Sequence, residues 1–327
     1  MLSEQVKRID NFIVFDLEWN QCPFGKGQEN KKIPFEIVEI GAVKLNKEKQ
    51  IIDEFHRTIR PMVYKKLHFQ TQKIIGMDMQ TLEKGDFFYR AIKDFLLWCG
   101  NASAFATWGA MDLMELQRNM KYYGLMDLLP GPIPFFDVQK LFSLQFEDGK
   151  SRKSLEYGTD YLRLEKDRDF HRALSDAYYT AEVLEAIGDE VIYKNYSIDV
   201  YQNPKQKEDE IVAVFEHYSK YISSEFISKE EAMKDRDVVG AKCFMCGKNL
   251  RKKVRWFSSS AKNYHSVLYC PKHGFIKGKI RMKKTEDGAF YVVKTLKITD
   301  EEEANMIRQK RDLLKEKRRE KRRMIPK

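Results

Sequence analysis

The stretch FIVFDLEWN (residues 12–20) decides the fold, because it sets two acids into an otherwise apolar strand pattern. The alternation over residues 12–18 predicts a β-strand. Asp16 and Glu18 are two residues apart, so their side chains project from the same face of that strand. Carboxylates side by side on a buried strand repel each other unless a cation lies between them. The stretch therefore predicts a metal site on the first strand of the domain.

The segments that follow predict a sheet with helices packed over it. EIVEIGAVKL (36–45) and QIIDEFHRTI (50–59) are typical of a second and a third strand, and the short connection at 46–49 predicts an antiparallel hairpin. SAFATW (103–108) predicts a short buried strand. Helical apolar spacing predicts helices over 86–100, from 112 to about 123, and over 172–187. This order of elements indicates an α/β fold with a mixed sheet.

Two further acids and a histidine stand where a folding argument favours apolar or ordinary residues. Asp112 in TWGAMDLMEL follows the short strand, and Asp176 in HRALSDAYYTA lies within the apolar stripe of its helix. Taken singly, Asp112 is typical of a helix N-cap and His171 of a core or surface histidine. Taken together with Asp16 and Glu18, these residues indicate two divalent cations and the hydrolysis of phosphodiester bonds.

The same residues resemble a known family. Asp-x-Glu on the first strand, Asp112 after a short strand and His-x-Ala-x-x-Asp on a late helix resemble the DEDDh 3′→5′ exonucleases over about residues 10–190. EIVEIGAVKL and WGAMD are most similar to the KapD-like and enhanced-RNAi exonuclease branch. The resemblance implies a ribonuclease H-like fold and activity on single-stranded nucleic acid, with RNA favoured and nucleoside 5′-monophosphates released.

The resemblance also implies roles for the site residues. Asp16, Glu18, Asp112 and Asp176 would hold two Mg²⁺ or Mn²⁺ ions, and His171 would accept the proton of the attacking water. An imidazole suits that role at neutral pH. Trp19 follows Glu18 directly, so stacking on a terminal base is one interpretation and packing in the core is the other.

The C-terminal part of the chain carries an excess of positive charge. Residues 241–327 hold 26 Lys and Arg against 9 Asp and Glu, a net of +17, whereas residues 1–240 hold 33 against 40, a net of −7. This asymmetry predicts an acidic catalytic body with a basic arm for a polyanion. A solvated, highly charged C-terminus is the alternative interpretation.

A metal-ligand pattern lies within that basic part. Two Cys/His pairs with two-residue gaps predict one Zn²⁺ in a zinc-ribbon-like module, with ligands Cys243, Cys246, Cys270 and His273. His265 is a weaker substitute for His273. A basic stretch between the pairs predicts nucleic-acid contacts through Arg251, Lys252, Lys253 and Arg255. A structural or protein-docking module is the competing interpretation.

The sequence thus predicts four regions: an exonuclease domain (1–195), a helical linker (196–240), a zinc-ribbon-like basic module (241–298) and a basic helical tail (299–327). No apolar run reaches the length of a membrane span, and the N-terminus has no secretory stretch, so we expect a cytoplasmic protein. The expected partners are single-stranded RNA or DNA, with no membrane. A protein partner for the C-terminal module stays open, as do DNA as the substrate and a catalytically silent regulatory protein that binds nucleic acid.

Overall fold

A computed structural model describes residues 9–323 of the chain. The chain divides into two compact units, Met1–Tyr201 and Gln202–Lys327. The outer ends of the expected exonuclease domain and of the expected tail, residues 1–8 and 324–327, lie outside the described part. Within the described part, no helix combines the length and the apolar character that crossing a bilayer requires.

A six-stranded mixed sheet with the order β3-β2-β1-β4-β5-β6 forms the centre of the first unit. Strands β1, β2 and β3 are antiparallel neighbours, as the connection at 46–49 predicts for β2 and β3. Strands β4 and β5 run parallel to β1, and β6 is antiparallel to β5. The strands are β1 (Asn11–Gln21), β2 (Phe35–Leu45), β3 (Ile51–Thr58), β4 (Ser103–Thr107), β5 (Pro134–Asp137) and β6 (Ser197–Ile198). The predicted α/β class and ribonuclease H-like arrangement are confirmed.

Eight α-helices of the described residues belong to the first unit. They are α1 (Phe69–Ile75), α2 (Met79–Glu83), α3 (Phe88–Cys99), α4 (Met111–Tyr122), α5 (Val138–Phe146), α6 (Leu155–Leu162), α7 (Ala173–Ala186) and α8 (Asp189–Lys194). Phe15 and Leu17 on β1 pack in one core cluster with Phe95 of α3 and Leu116 of α4. Because side chains alternate along a strand, this packing leaves the opposite face of β1, which carries Asp16 and Glu18, for α7.

The close contact between α7 and the sheet depends on a glycine. Gly41 on β2 lies opposite Asp16 in the antiparallel register. A Cβ atom at Gly41 would lie 2.0 Å from the backbone nitrogen of Leu174, in the first turn of α7. Only a residue without a side chain permits this approach. The glycine therefore brings the first turns of α7, and with them Asp176, against the acid-bearing face of β1.

The second unit is a six-stranded antiparallel sheet with the order β7-β8-β12-β11-β10-β9. Its strands are β7 (Ile211–Val214), β8 (Tyr218–Ile222), β9 (Arg251–Ser258), β10 (Asn263–Cys270), β11 (Gly274–Lys284) and β12 (Phe290–Ile298). Its helices are α9 (Lys229–Ala232), α10 (Arg236–Val239) and α11 (Glu301–Arg323). The strands expected around the cysteine pairs are thus part of a larger sheet than a small ribbon.

Residues 196–240 differ from the expected helical linker. They contribute β6 to the first sheet and the hairpin β7–β8 to the second, and their two α-helices, α9 and α10, span four residues each. The physical reason is local: the segments 211–214 and 218–222 are short and rich in β-branched and aromatic residues, which favour strands when a neighbouring edge is available. Strand β12 offers that edge to β8.

Candidate active site

Three elements of the first unit bring four carboxylates together. Asp16 and Glu18 project from β1, Asp112 lies in the first turn of α4, and Asp176 lies in the first turn of α7. Each of the four carboxylates is within electrostatic range of the others, because the charges of Asp112, Glu18 and Asp176 all act on Asp16. The structure therefore assembles the acids that the sequence singled out.

Burial and mutual repulsion make it unfavourable for the four acids to ionise. Burial, followed by the charges of the neighbouring acids, raises the pKa of Asp16 well above its ordinary value and that of Glu18 to about 8. Burial is also the main reason why the pKa of Asp112 rises to about 7 and that of Asp176 to about 6. Groups that resist ionisation in this way are typical of sites that a cation completes.

Among the four acids, one fully buried carboxylate oxygen has no hydrogen-bond partner among the described residues. The Asp112 carboxylate accepts a hydrogen bond from the backbone N–H of Leu17, and Asp176 Oδ2 accepts one from the backbone N–H of His171 at 3.2 Å. The other oxygen of Asp176, Oδ1, is buried and has no hydrogen-bond partner in the described part of the chain. A buried carboxylate oxygen without a donor suits a metal ion, and an all-oxygen donor set suits Mg²⁺ or Mn²⁺.

His171 lies beside these acids on an exposed segment. Its imidazole and the carboxylates of Glu18 and Asp176 have ligand atoms within 4.8 Å of one another. The backbone of His171 has a φ of 63°, which is unusual for a residue with a side chain. Strain of this kind is common at functional sites. An exposed imidazole next to the acids is placed to take part in proton transfer or to ligate a metal ion.

An ion-pair network next to the cluster was not predicted from the sequence. The buried Glu39 faces Glu18 across the β1–β2 pair and accepts hydrogen bonds from His56 at 2.7 Å and from Arg172 at 2.9 Å. These two partners lower the pKa of Glu39, although its burial acts in the opposite direction. Arg172 directly follows His171, so the network ties the histidine segment to β2. The sequence signal that could have revealed this network is Glu39, an acid within the otherwise apolar strand pattern of EIVEIGAVKL.

Trp19 packs against the edge of the core. Its ring centroid lies 5.6 Å from that of Phe35, and its partly buried side chain borders the main core cluster. A β-bulge between Glu18 and Trp19 turns the strand at this point. The placement favours packing, and stacking on a base stays a prediction.

The second unit contains the cluster expected for zinc. Cys243 Sγ lies 3.3 Å and Cys270 Sγ 3.6 Å from His273 Nδ1, and the sulfurs of Cys246 and Cys270 are 3.7 Å apart. In a tetrahedral site with Zn–S bonds of about 2.3 Å, two sulfur ligands are about 3.8 Å apart, and a sulfur and a nitrogen ligand are roughly 3.5 Å apart. The spacing therefore fits one Zn²⁺. His265, the weaker candidate, is not in the cluster.

Turns after each ligand pair shape this cluster. Gly247, after Cys246, has a φ of 71°, and Gly274, after His273, has a φ of 76°, so both adopt the left-handed conformation that glycine favours. Burial raises the pKa of the Cys270 thiol, but hydrogen bonds from the backbone N–H groups of Lys272 and His273 and with the side chains of Cys243 and His273 together bring it to about 6. The peptide groups thus stabilise a thiolate, the form that ligates metal.

The predicted basic residues lie on the edge strand β9. The structure places Arg251, Lys252, Lys253 and Arg255 there with exposed side chains. The next residue, Trp256, packs inward, where its Nε1 donates to the backbone oxygen of Val239 at 3.1 Å. The four cations are accessible to a ligand, whereas Trp256 stabilises the fold.

A sequence profile of the RNase T family, described as "Exonuclease", matches residues 13–184, which is more than half of the chain. The chain belongs to the RNase T exonuclease family. The match contains the acids of β1, α4 and α7, so the cluster lies within the exonuclease domain. No curated protein sequence matches the chain significantly.

Solved structures are similar to the first unit. The nuclease domain of 3′hExo, a DEDDh family member bound to rAMP, is 18% identical, with a TM-score of 0.50 over 58% of this chain and 96% of that one. Cell-death related nuclease 4 (CRN-4) is 17% identical, with a TM-score of 0.46 over 55% of this chain and 64% of that one, so less than two thirds of its length is matched. E. coli exonuclease I in complex with a dA16 oligonucleotide is 14% identical, with a TM-score of 0.43 over 56% of this chain and 42% of that one.

The similarity to 3′hExo, at 18% identity, shows the fold and nothing finer. It agrees with the mixed sheet described above, and the family match adds the enzyme class. The first unit is therefore an exonuclease domain of the RNase T family, and the second, antiparallel β unit carries a Cys₃His cluster.

Proposed function

We propose that the protein is a metal-dependent 3′→5′ exonuclease that shortens single-stranded nucleic acid and releases nucleoside 5′-monophosphates. Asp16, Glu18, Asp112 and Asp176 are the proposed ligands of two Mg²⁺ or Mn²⁺ ions. The observation that carries the proposal is the convergence of these four acids, with raised pKa values and the unpartnered Oδ1 of Asp176. Bound divalent ions supply an activated water and neutralise the charge on the leaving oxygen.

The proposed role of the protein's own residues follows from their positions. The exposed His171 side chain accepts the proton of the attacking water, while its backbone N–H orients Asp176. Arg172 and His56 hold the neighbouring Glu39 in its ionised form, which steadies the segment on which His171 lies. The fold thereby holds the base and the ligands against the same face of the sheet.

The 3′→5′ direction and the substrate are proposals that the relatives support. The nuclease domain of 3′hExo, a DEDDh family member, is bound to rAMP, which is the product expected from an RNA 3′ end. We place the chain in the KapD-like branch on the segments EIVEIGAVKL and WGAMD, and we propose RNA over DNA on the same ground. Free thiols at Cys22 and Cys99 suit the proposed cytoplasmic location.

The direct test uses RNA and DNA oligonucleotides labelled at either end, incubated with Mg²⁺, Mn²⁺ or a chelator. We expect a ladder of 5′-labelled fragments that shorten one nucleotide at a time, and a labelled mononucleotide from 3′-labelled substrate. Chelation abolishes both. Shortening from the 5′ end, or activity that persists in chelator, contradicts the proposal, and binding without shortening indicates the silent regulatory alternative.

Replacing His171 by alanine is expected to reduce turnover by about 10²–10⁴-fold, the usual contribution of a general base. Substrate binding and the thermal stabilisation by Mn²⁺ should remain, because the four carboxylates are intact. Single-turnover kinetics together with thermal unfolding in Mn²⁺ separate the two properties. His217→Ala, at an exposed histidine of the second unit, is the control. Loss of the Mn²⁺ response in His171→Ala assigns the imidazole to metal ligation instead, and unchanged turnover removes it from the chemistry.

We also propose that Cys243, Cys246, Cys270 and His273 bind one structural Zn²⁺. Structural zinc contributes roughly 10–16 kcal/mol to the folding of small zinc-binding peptides, so its loss should unfold the cysteine end of the sheet. Cys270→Ser is expected to lower the zinc content from one to below about 0.1 per chain, measured by elemental analysis, and to lower the unfolding temperature of the second unit. Cys22→Ser, in the first unit, is the control. A full zinc content in Cys270→Ser contradicts the assignment.

A further inference from the structure

One face of strand β11 carries a row of cations. Successive residues alternate between a buried apolar set and a basic set, as expected for a half-buried strand. The buried set is Ile276, Gly278, Ile280 and Met282, and the basic set is Lys277, Lys279, Arg281 and Lys283. In the register with β10, Lys279 lies opposite His265 and Arg281 lies opposite Asn263. The polar face therefore continues onto a second strand.

Helix α11 lies across part of this face. Ala304, which is 1% exposed, and Ile307 pack against Val254 and Val267 of the sheet. Asp300 caps the helix by accepting a hydrogen bond from the backbone N–H of Glu303 at 2.7 Å, and Glu303 also pairs with Lys277. The first part of the expected basic tail is thus a packed element of the unit.

The helix and the strands leave a groove between them. Its volume is about 840 Å³, and Lys310 of α11 reaches it together with Lys279 and Arg281 of β11. The rest of the lining comes from the β9–β10 turn, from β10, from the end of β11 and from β12, and includes Ser259, Ser260, Lys262, Asn263 and His265. We call this the β10–β11 groove. Among the residues that line it in the described part of the chain there is no aspartate or glutamate.

The cations of the groove repel each other. Burial and the charges of Arg281 and Lys310 lower the pKa of Lys279, and burial with the charges of Lys310 and Lys279 lowers that of His265. Like charges held at this spacing without a counter-charge destabilise the unit, and an anionic ligand relieves the repulsion. The groove therefore favours an anionic ligand, just as the acid cluster in the first unit favours a cation.

We propose that the β10–β11 groove binds the phosphodiester backbone of a single-stranded nucleic acid through Lys279, Arg281 and Lys310. This inference rests on the proposed function, for which it names a binding surface. Two observations favour a nucleic acid over an acidic protein. The lining has one sign of charge, whereas protein interfaces mix both signs and apolar contacts. The cations also repeat at every second residue, about 6.8 Å apart along β11, which suits the regular phosphates of an extended strand.

The groove differs from the basic patch expected on β9. None of Arg251, Lys252, Lys253 and Arg255 lines it. The patch on β9 lies on an edge strand, whereas the groove has a floor of two strands and one wall formed by a helix. Backbone binding in a basic groove is sequence-independent and strongly dependent on salt. The two surfaces can therefore be separated by substitution.

The test compares two triple variants of the full chain. Lys279→Gln/Arg281→Gln/Lys310→Gln removes the groove cations, and Arg251→Gln/Lys253→Gln/Arg255→Gln removes the same charge from β9. Binding of a fluorescent 20-nucleotide oligomer is measured in chelator, where no cleavage occurs, from 50 to 300 mM salt. We expect the groove variant to bind at least about tenfold more weakly and to lose about two units of the log–log salt slope, since each phosphate contact contributes roughly 0.7. The β9 variant should lose less than threefold.

Three results overturn the inference. They are wild-type affinity and slope in the groove variant, an equal loss in both variants, and equal competition by polyglutamate and by an oligonucleotide of the same charge, which indicates an acidic protein ligand. Thermal unfolding checks that the exposed substitutions leave the fold intact, and single Lys310→Gln provides a milder variant with an expected loss of about threefold. Hydrolysis of a p-nitrophenyl ester of a nucleoside 5′-monophosphate with Mn²⁺ tests the acid cluster separately. No hydrolysis by the wild type contradicts the proposed function and leaves the binding result intact.

Discussion

Replacing Asp176 by asparagine is expected to lower exonuclease turnover by at least roughly 10³-fold, or about 4 kcal/mol of transition-state stabilisation, while making the metal-free protein more stable. The asparagine still accepts the hydrogen bond from the His171 backbone, but it lacks the charge that a metal ion requires. Without metal, the same loss of charge removes repulsion from the acid cluster, because the Asp176 charge contributes to the raised pKa values of Asp16, Glu18 and Asp112.

The gain in stability should depend on pH with a defined sign. The pKa of Asp176 is about 6 in the folded protein, above the ordinary value of 3.8. A raised carboxyl pKa means that ionisation opposes folding, so the wild type loses stability as the pH rises from about 4 to about 6. The asparagine variant does not titrate there. The stability advantage of the variant over the wild type should be absent near pH 4 and complete above pH 6. Each kcal/mol of this advantage raises the unfolding temperature by about 2–4 °C.

The measurements are turnover on a 5′-labelled oligonucleotide and thermal unfolding of the first unit in chelator and in Mn²⁺. Wild type should gain stability with Mn²⁺ and the Asp176→Asn variant should gain little, so that their order reverses when metal is added. Glu185→Gln is the matched control, because Glu185 is an exposed acid on the same helix. A variant that keeps its turnover, or that is less stable than the wild type in chelator at pH 8, contradicts the assigned role.

Most of what the sequence predicted about the first unit came from patterns among residues that are close together in the chain. Asp16 and Glu18 had to share a face because strand side chains alternate, and Asp176 was visible as an acid in an apolar helix stripe. Both inferences need only residues close in sequence. The same holds for the zinc ligands, because each pair lies within one turn and the structure brings the two pairs together.

Long-range partners explain what the sequence did not reveal. Glu39 and Arg172 are 133 residues apart, and nothing local marks them as a pair. The hairpin β7–β8 was read as helical because its strand character depends on the edge of β12, which comes about 70 residues later. The groove next to α11 likewise needs the register of β10 with β11 and the packing of Ala304. Each of these features is set by tertiary contacts that outweigh local propensity.

The charge asymmetry persists when it is counted by structural unit, although it is smaller than at the boundary after residue 240. Counted by unit, residues 1–201 hold 27 Lys and Arg against 31 Asp and Glu, a net of −4, and residues 202–327 hold 32 against 18, a net of +14. A net-negative unit with an acid cluster attracts metal ions and repels a polyanion. The net charge of the second unit has the opposite sign, which agrees with the proposed binding of nucleic acid in the β10–β11 groove.

Gly41→Ala is expected to lower exonuclease turnover strongly through a single added methyl group on a residue that is not itself a proposed metal ligand or base. The new Cβ would lie 2.0–2.4 Å from backbone atoms of Ala173 and Leu174, and backbone cannot rotate aside as a flexible side chain can. Helix α7 must therefore move off the sheet. We expect a loss of roughly 3 kcal/mol or more of unfolding free energy and a fall in turnover comparable with that of Asp176→Asn, because Asp176 and His171 move with the helix.

Gly27→Ala is the matched control for this substitution, since a Cβ at Gly27 meets no atom within 4 Å. Denaturant unfolding gives the free energy, and Mn²⁺ titration by thermal shift reports whether the acids still converge. The Gly41 variant should respond to Mn²⁺ more weakly even at temperatures where it stays folded, which separates displacement of α7 from simple unfolding. Wild-type stability with a normal Mn²⁺ response would show that the acid cluster does not depend on the contact at Gly41. We expect the acid cluster to depend on this contact because Gly41 lies opposite Asp16. Helix α7 therefore contacts the sheet at the point where the Asp176 carboxylate joins those of Asp16, Glu18 and Asp112.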